Sequence, residues 1–166
     1  MINEFRGNYY FLSNFSDSKI EYDGYIYLNA EAAFQAQKNS NSTYKYIMQF
    51  QDASTAKKEG RKVKLRPDWE QVKDKIMYYV VKAKFEQNKD LRDKLLATGD
   101  KYLTEGNNWH DNYWGVCKCN SSKCLDKVGR NKLGKILMQI REELRSSTIP
   151  GGNLSPYKHV KTINLK

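Results

Sequence analysis

The longest regular apolar pattern in the chain spans residues 69–83. Trp69, Val72, Ile76, Val80 and Ala83 recur at the spacing of three and four residues that marks one face of an α-helix. Such a stripe is stable in water only when other elements cover it. We therefore expect a long central helix in a core that is built mainly from packed helices.

Shorter helices are predicted on both sides of this one, because capping residues precede helix-forming segments. A second apolar stripe predicts a last helix at 131–145. The predicted N-caps are Asn29 for a buried helix at 30–38, Asn41 or Ser42 for one at 43–50, Asp52 or Ser54 for one that ends near 64, Asp68 with Gln71 as a capping box for the central helix, and Asn88 for one that ends at Gly99.

The dipeptide Asp23-Gly24 separates two short runs of aromatic and β-branched residues. It favours a type I′ turn, in which both central residues have positive φ, so the two runs predict a β-hairpin. The predicted fold class is mainly α: one compact helical domain at residues 1–145 with a short N-terminal β-hairpin. A tail that contains Ser, Pro and Gly is expected at 146–166.

The chain has 166 residues and a formal net charge of +10. A positive charge favours a phosphate-bearing partner, although a lysine-rich surface also serves solubility. The sequence has neither an apolar run long enough to cross a membrane nor a signal peptide at its first residues. We therefore expect a cytoplasmic protein without membrane contact.

The helix predicted at 30–38 places an acid, an amide and an amine on one stripe. Glu31, Gln35 and Lys38 stand at i, i+4 and i+7, and the alanines around them allow a neighbouring element to approach closely. A buried stripe of this kind is a candidate active site. The alternative is that Glu31 only complements the helix dipole and that Lys38 is solvated.

Two other polar stretches have both a functional and a structural interpretation. Residues 107–115 hold two tryptophans, a histidine and an acid with almost no apolar periodicity, which indicates a binding loop; a tryptophan-anchored structural loop is the alternative. The densest basic run, at 57–66, is interpreted as a solvated helix face, with contact to phosphates or nucleic acid as the alternative.

Several enzyme classes are excluded because the sequence has no glycine-rich phosphate loop, no His-x-x-x-His pair and no Gly-x-Ser-x-Gly elbow. His110, Cys117, Cys119 and Cys124 offer imidazole and thiol ligands of the kind that zinc prefers. However, the Cys-x-Cys spacing differs from the usual Cys-x-x-Cys pair, and no second pair follows. We therefore expect reduced thiols rather than a metal site.

The remaining reactive groups are the carboxylates Glu31, Glu105 and Asp111, the amine of Lys38, and indole rings. Carboxylates with planar aromatic walls suit a sugar or nucleobase substrate, in which a cationic, oxocarbenium-like centre forms at the glycosidic carbon. A lysine whose pKa is lowered by burial could instead attack that carbon as a Schiff-base nucleophile. Either route allows chemistry at a glycosidic carbon.

Several separate motifs lie in one order over about residues 5–145. They are Phe5-x-Gly7, Phe11-Leu12-Ser13-Asn14-Phe15, Glu31-Ala32-Ala33-Phe34-Gln35-Ala36-Gln37-Lys38, Arg66-Pro67-Asp68-Trp69, Leu96-Ala97-Thr98-Gly99, Asp111-x-x-Trp114-Gly115 and Gly129-x-Asn131-x-Leu133-Gly134. Together these motifs resemble the NADAR family of riboflavin-intermediate N-glycosidases. The resemblance implies a mainly α-helical single domain that uses neither a metal nor another cofactor. The chain departs from the family pattern at residues 117–124, where relatives tend to carry a shorter, glycine-rich loop.

The resemblance implies hydrolysis of the N-glycosidic bond between a phosphorylated ribose and an amino-substituted base. Two substrate classes come with it. One is the ribosylamino-pyrimidine 5′-phosphates of the early riboflavin pathway, and the other is ADP-ribose attached to guanine in DNA or RNA. A module that binds ADP-ribose or nucleic acid without turnover is the alternative from a different functional class.

The residues that match the family's functional motifs are expected to share one cleft. Glu31 and Asp111 would move protons to the leaving amine and from water, and Lys38 would form an imine with the ribose or hold the phosphate. Two tryptophans would wall the base or ribose, and an asparagine at the start of a helix would bind hydroxyl or phosphate oxygens. The expected substrate-binding residues are Asn14, Trp69, Trp114 and Asn131.

Overall fold

The computed structural model describes residues 1–147. Most of their regular structure is helical, which confirms the predicted mainly α fold. In chain order the elements are a 3₁₀-helix (Gly7–Leu12), β1 (Asp17–Tyr22), β2 (Tyr25–Asn29), α1 (Ala30–Ala36), α2 (Ser42–Met48), α3 (Ala53–Gly60), α4 (Trp69–Gln87), α5 (Lys89–Ala97), β3 (Gly106–Asn107), β4 (Val116–Cys117) and α6 (Lys132–Ser147).

Strands β1 and β2 form the predicted antiparallel hairpin. Tyr22 pairs with Tyr25 across the turn, and Asp23 and Gly24 have φ values of 51° and 82°, as a type I′ turn requires. The hairpin packs against α1 and α4. The other sheet is small: β3 and β4 pair in parallel over two residues each and join the segment after α5 to the segment before α6.

Helix α1 lies at the centre of the molecule. All of its residues are buried, and it packs against β2, α2, α3 and α4. The predicted cap is present, because Asn29 Oδ1 accepts a hydrogen bond from Ala32 N at 2.7 Å. The alanines of α1 let these neighbours approach closely, so its few polar side chains lie deep in the protein.

Helix α4 is the long central helix that the apolar pattern predicts, and it packs against β1, α1, α5 and α6. One charged residue, Lys84, is fully buried in it. Its Nζ donates to Phe11 O, Ser13 O and Ser16 Oγ over 2.7–2.8 Å, and burial lowers its pKa to about 7. This amine ties the segment around Asn14 to the core.

Two predicted caps are wrong. The Asp68 carboxylate accepts hydrogen bonds from Arg66 at 2.5 and 2.9 Å and does not cap α4. The Asn88 side chain donates to Lys19 O and Lys84 O and does not cap α5. In both cases a hydrogen-bond partner outside the helix competes successfully for the side chain.

Helix α6 ends at Ser147, two residues after residue 145, which was the predicted end of the domain. The rest of the predicted tail, residues 148–166, lies outside the described residues, so the division into domain and tail stays a prediction. Among residues 1–147, no helix combines the length and the hydropathy that a transmembrane span needs.

Candidate active site

A cavity of about 1040 Å³ opens between α1, α3, the start of α4 and the loop that follows β3. Its volume is at the upper end of the usual range for small-molecule sites and suits a nucleotide-sized ligand. Six of the seven predicted site residues line it. They are Asn14, Glu31, Lys38, Trp69, Asp111 and Trp114.

Glu31 and Gln35 lie one turn apart on α1, and both line the cavity. Gln35 Nε2 donates to Glu31 Oε1 over 2.8 Å, and both side chains are buried. Burial raises the pKa of Glu31, while the hydrogen bond from Gln35 and the positive charge of Lys57 oppose this rise. Glu31 therefore holds a proton more readily than an exposed glutamate, as a proton-transfer group should.

Lys38 follows the end of α1 and reaches across to α3. Its Nζ donates to Gly60 O over 3.2 Å and lies 5.8 Å from the centroid of the Trp69 ring. Burial lowers the pKa of Lys38; the Glu31 carboxylate opposes this change and Arg61 adds to it. The amine therefore loses its proton more readily than that of an exposed lysine.

Two further carboxyl groups reach the cavity from the segment after α5. Asp111 Oδ1 accepts hydrogen bonds from Tyr113 N and Trp114 N, both at 2.9 Å, which fixes the orientation of the carboxylate. Burial raises the pKa of Glu105 to about 8, and the negative charges of Asp111 and Glu31 add to this rise. Glu105 is therefore mostly protonated at neutral pH, although the sequence offered it only as one carboxylate among several.

Trp69 and Trp114, the two tryptophans predicted to wall the substrate, both pack against the ring of Phe34. Phe34 lies between them, with its ring centroid 5.2 Å from that of Trp69 and 5.5 Å from that of Trp114. These contacts anchor both indoles in the core while their edges line the cavity. A third indole, Trp109, is half exposed and lies 5.7 Å from Lys57 Nζ.

Three cavity-lining side chains each carry a buried acceptor atom without a hydrogen-bond partner among the described residues. The atoms are Asn14 Oδ1, Gln35 Oε1 and Glu105 Oε2. The amide of Asn14 is held from its other side, because its Nδ2 donates to Met77 Sδ over 3.2 Å. Such unpaired atoms are uncommon in folded proteins. Gln35 Oε1 faces Gly60 of α3, so Asn14 Oδ1 and Glu105 Oε2 are the two atoms that favour hydrogen bonds with a ligand.

Asn131 is the predicted site residue that the structure places elsewhere, since it is not part of the cavity lining. Its side chain accepts a hydrogen bond from Glu105 N at 3.0 Å and donates one to Leu103 O at 2.8 Å. Both ends of the amide are thus bound to backbone, so the expected contact with hydroxyl or phosphate oxygens is not supported. Asn131 instead holds the segment that carries Glu105.

The basic run at 57–66 reaches the cavity, which its interpretation as a solvated face did not predict. Lys57, Lys58 and Arg61 all line the cavity because α3 packs against α1. The spacing of these three residues, at i, i+1 and i+4, places them on one side of α3 and was the available sequence signal. Arg6 and Lys73 add positive charge to the lining.

Groups that could hold a transition metal lie beside the cavity and not in it. Among residues 1–147, one set of histidine and cysteine side chains is close enough to share an ion, and it consists of His110, Cys117, Cys119 and Cys124. None of these four side chains lines the cavity. The polar groups that the cavity itself presents are carboxyl groups, amines, guanidinium groups and amides.

The chain is similar to a known domain family and to individual proteins of known activity. The sequence model of the NADAR domain matches residues 3–145. N-glycosidase YbiA of Escherichia coli (strain K12) is 37% identical over 135 residues, which are 80% of this chain and 79% of that protein. An N-glycosidase of Nostoc punctiforme is 37% identical over 140 residues, which are 81% of this chain and 85% of that protein.

A riboflavin biosynthesis protein of Vibrio vulnificus is 34% identical over 160 residues, which are 95% of this chain but 40% of that longer protein. The fold is similar to the NMR structure of the E. coli protein YbiA, with a TM-score of 0.75 and 32% identity over 94% of each chain. From the family match and these relatives, the chain belongs to the NADAR domain family.

Proposed function

We propose that this chain is an N-glycosidase, a hydrolase that cleaves the bond between the anomeric carbon of a phosphorylated ribose and the nitrogen of a base. In this reaction water adds to C1, the C1–N bond breaks, and the leaving nitrogen takes a proton. The products are ribose 5-phosphate and the free amino base. The N-glycosidases of E. coli and Nostoc punctiforme support this activity.

The observation that carries the proposal is that Glu31, Glu105 and Asp111 line one cavity together with aromatic and basic side chains. We assign proton donation to the leaving nitrogen to Glu105 or Glu31, because burial raises the pKa of both. Asp111 would accept a proton from the attacking water and stabilise the cationic anomeric carbon.

The remaining lining groups fit the other parts of the substrate. Lys57, Lys58 and Arg61 would bind the 5′-phosphate. The indoles of Trp69 and Trp114 would border the base or ribose, and the unpaired amide oxygen of Asn14 would accept a hydrogen bond from a hydroxyl or amino group.

Lys38 has two proposed roles that exclude each other. As a nucleophile, its amine would displace the leaving nitrogen at C1 of the opened ribose and form an imine, which water then hydrolyses. As a cation, it would hold the phosphate. The lowered pKa of Lys38 supports the first role, because it raises the fraction of neutral amine. Reduction with borohydride during turnover traps the imine as a stable adduct and decides between the two.

We propose a ribosylamino-pyrimidine 5′-phosphate as the substrate, since a relative at 34% identity is a riboflavin biosynthesis protein. ADP-ribose attached to guanine in nucleic acid is the second candidate. The six basic side chains in the lining favour it, because they exceed what one phosphate requires. The three cysteines are not in disulfides, which fits the reducing cytoplasm expected from the sequence.

The test is to incubate the purified chain with each of the two substrates and to measure the products by mass spectrometry. Ribose 5-phosphate from the first substrate or free ADP-ribose from the second would support the N-glycosidase and identify its substrate. A Glu31→Gln variant serves as the control for contaminating hydrolases. Tight binding of ADP-ribose without either product would overturn the proposal in favour of a binding module.

A further inference from the structure

The loop between β3 and α6 contains a cluster of four potential metal ligands. His110 Nδ1 lies 3.3 Å from both Cys119 Sγ and Cys124 Sγ, and Cys117 Sγ lies 3.1 Å from Cys119 Sγ. The ligand atoms of all four residues lie within 4.8 Å of one another. We propose that these four side chains bind one zinc ion, which takes the place of the reduced thiols expected from the sequence.

The size of the cluster fits a tetrahedral ion. Zinc binds thiolate sulfur at about 2.3 Å and imidazole nitrogen at about 2.0 Å, so the sulfur–sulfur and sulfur–nitrogen edges of its coordination tetrahedron are roughly 3.5–3.8 Å long. The closest pairs in the cluster, at 3.1 and 3.3 Å, lie below that range, and the limit of 4.8 Å for all pairs lies above it. Small side-chain movements, outward for the close pairs and inward for any wider ones, would therefore complete the site.

The chemistry of the donors favours zinc and a structural role. Three thiolates and one imidazole form one of the common ligand sets of structural zinc sites. Because four protein ligands fill the tetrahedron, no coordination position is left for water or substrate. Binding releases the thiol protons, and hard cations such as Mg²⁺ prefer oxygen ligands and would not compete.

Neighbouring groups already donate hydrogen bonds to the sulfur atoms. Asn112 Nδ2 donates to Cys124 Sγ, and Cys119 N donates to Cys117 Sγ, both over 3.4 Å. Asn112 Oδ1 also accepts from Cys117 N over 2.9 Å, so one side chain orients two of the proposed ligands. Donors of this kind stabilise metal-bound thiolates and are a regular part of zinc sites.

Apolar burial contributes little to the stability of the loop between Cys117 and Lys132, so a metal centre would stabilise it. The structure has no helix or strand between Cys117 and Lys132. Two of the apolar side chains in this stretch, Leu125 and Val128, are 68% and 92% exposed. Cys124 is nevertheless buried, and its sulfur lies 3.3 Å from His110 Nδ1. Zinc would supply the stabilisation that a small apolar core supplies elsewhere.

The proposed site is coupled to the cavity through one residue. His110 lies between Trp109 and Asp111, which both line the cavity, and its φ of +70° is a left-handed conformation that non-glycine residues rarely adopt. A zinc ion on Nδ1 would hold the backbone in this conformation and so orient the two neighbours. The zinc site itself rests on the loop geometry and does not depend on the proposed reaction.

The test is to purify the full chain under reducing conditions from zinc-supplemented cells and to measure its metal and thiol content. We expect one zinc ion per chain and cysteines that react with a thiol reagent only after a strong chelator is added. Removal of zinc should lower Tm by at least about 5 °C. Cobalt in place of zinc should give the visible absorption of a tetrahedral thiolate complex.

Matched variants identify the ligands. Cys124→Ser and His110→Ala should lose the metal, while Ser122→Ala in the same loop and His159→Ala, which changes the other histidine of the chain, should keep it. Should the ligand variants fail to fold, zinc titration of the metal-free wild type against a competing chelator provides the same decision. Wild-type protein that takes up neither zinc nor cobalt, or that contains a disulfide in the reduced preparation, would overturn the site.

Discussion

Glu31, Glu105 and Asp111 are the residues on which the proposed chemistry depends, and their surroundings differ. Glu31 accepts a hydrogen bond from Gln35, and Asp111 accepts two from backbone amides, whereas Glu105 Oε2 has no partner among the described residues. Burial without a partner favours the neutral acid of Glu105. The proposed proton donor and the proposed proton acceptor thus lie in different surroundings within one cavity.

We expect Glu31→Gln to lower kcat/KM by at least about 100-fold, the usual scale for a proton-transfer group. The amide keeps the shape of the side chain and the packing of α1, so the far-UV circular dichroism and Tm should stay close to those of the wild type. Glu21→Gln, an exposed carboxyl on β1, is the matched control and should retain full activity. Normal turnover by Glu31→Gln would assign the proton transfer to another acid.

The pH dependence of kcat/KM should identify Glu105. As a proton donor it is active in its protonated form, so activity should fall as the pH rises through about 8. Glu105→Gln should lose most of the activity and, in what remains, this falling limb. A wild-type profile that stays level to pH 9, or a limb that survives in Glu105→Gln, would contradict the assignment.

At the scale of elements, the contact between α1 and α3 shapes the base of the cavity. Gly60 ends α3, and a Cβ at this position would lie 1.9 Å from Gln35 Oε1 and 3.1 Å from Gln35 Cβ. The absence of a side chain at Gly60 lets the two helices approach, while the Gly60 carbonyl accepts the hydrogen bond from Lys38 Nζ. One glycine therefore contacts two of the three polar side chains of the stripe, Gln35 and Lys38.

Gly60→Ala should displace the Gln35 side chain, because the added methyl group overlaps it. We expect a loss of about 1–3 kcal/mol in the free energy of unfolding, typical of an overfilled core, and a decrease in kcat. Urea unfolding checks the stability. The control is to measure the effect of Gly60→Ala in the wild type and in a Gln35→Ala background. The loss in the free energy of unfolding should be smaller in the second background, because the amide that clashes is absent there. Equal losses in both backgrounds would argue against the clash.

The whole molecule carries a net charge of +10, and part of this charge faces the cavity. Lys57, Lys58 and Arg61 come from α3 and its C-cap, and Arg6 and Lys73 come from distant parts of the chain. Their summed field attracts an anionic substrate at a distance and is weakened by salt. The field acts on encounter and binding, whereas the buried carboxyl groups act on the bond that breaks.

We expect KM for a phosphorylated substrate to rise with ionic strength while kcat changes little. Lys58→Gln and Arg61→Gln should each raise KM by about two- to fivefold, the range for exposed charge pairs. Lys135→Gln removes the same charge from an exposed position on α6 that does not line the cavity, and it should leave KM unchanged. An equal rise in KM for all three variants would mean that net charge alone, and no local phosphate site, sets the affinity.

Local patterns in the sequence determined the elements. The Asp23-Gly24 turn, the Asn29 cap and the apolar stripe from Trp69 each depend on interactions within a few residues, so their structure could be predicted without tertiary contacts. Six of the seven predicted site residues line the cavity, and the family motifs were what identified them. The residue pattern alone was equally consistent with a solvated Lys38. Where a distant partner competes, as Lys19 O does for the Asn88 side chain, the local prediction fails.

Only the tertiary structure decided which groups meet. The raised pKa of Glu105 depends on burial, on the charge of Asp111 and on that of Glu31, which α1 brings from far along the chain, so no spacing could reveal it. The same holds for the basic face of α3, which reaches the cavity because α3 packs on α1, and for Asn131, whose amide is bound to backbone near Glu105. The sequence determined which chemical groups the protein has. Long-range packing decided which of these groups meet, because burial and charge depend on neighbours that are remote along the chain.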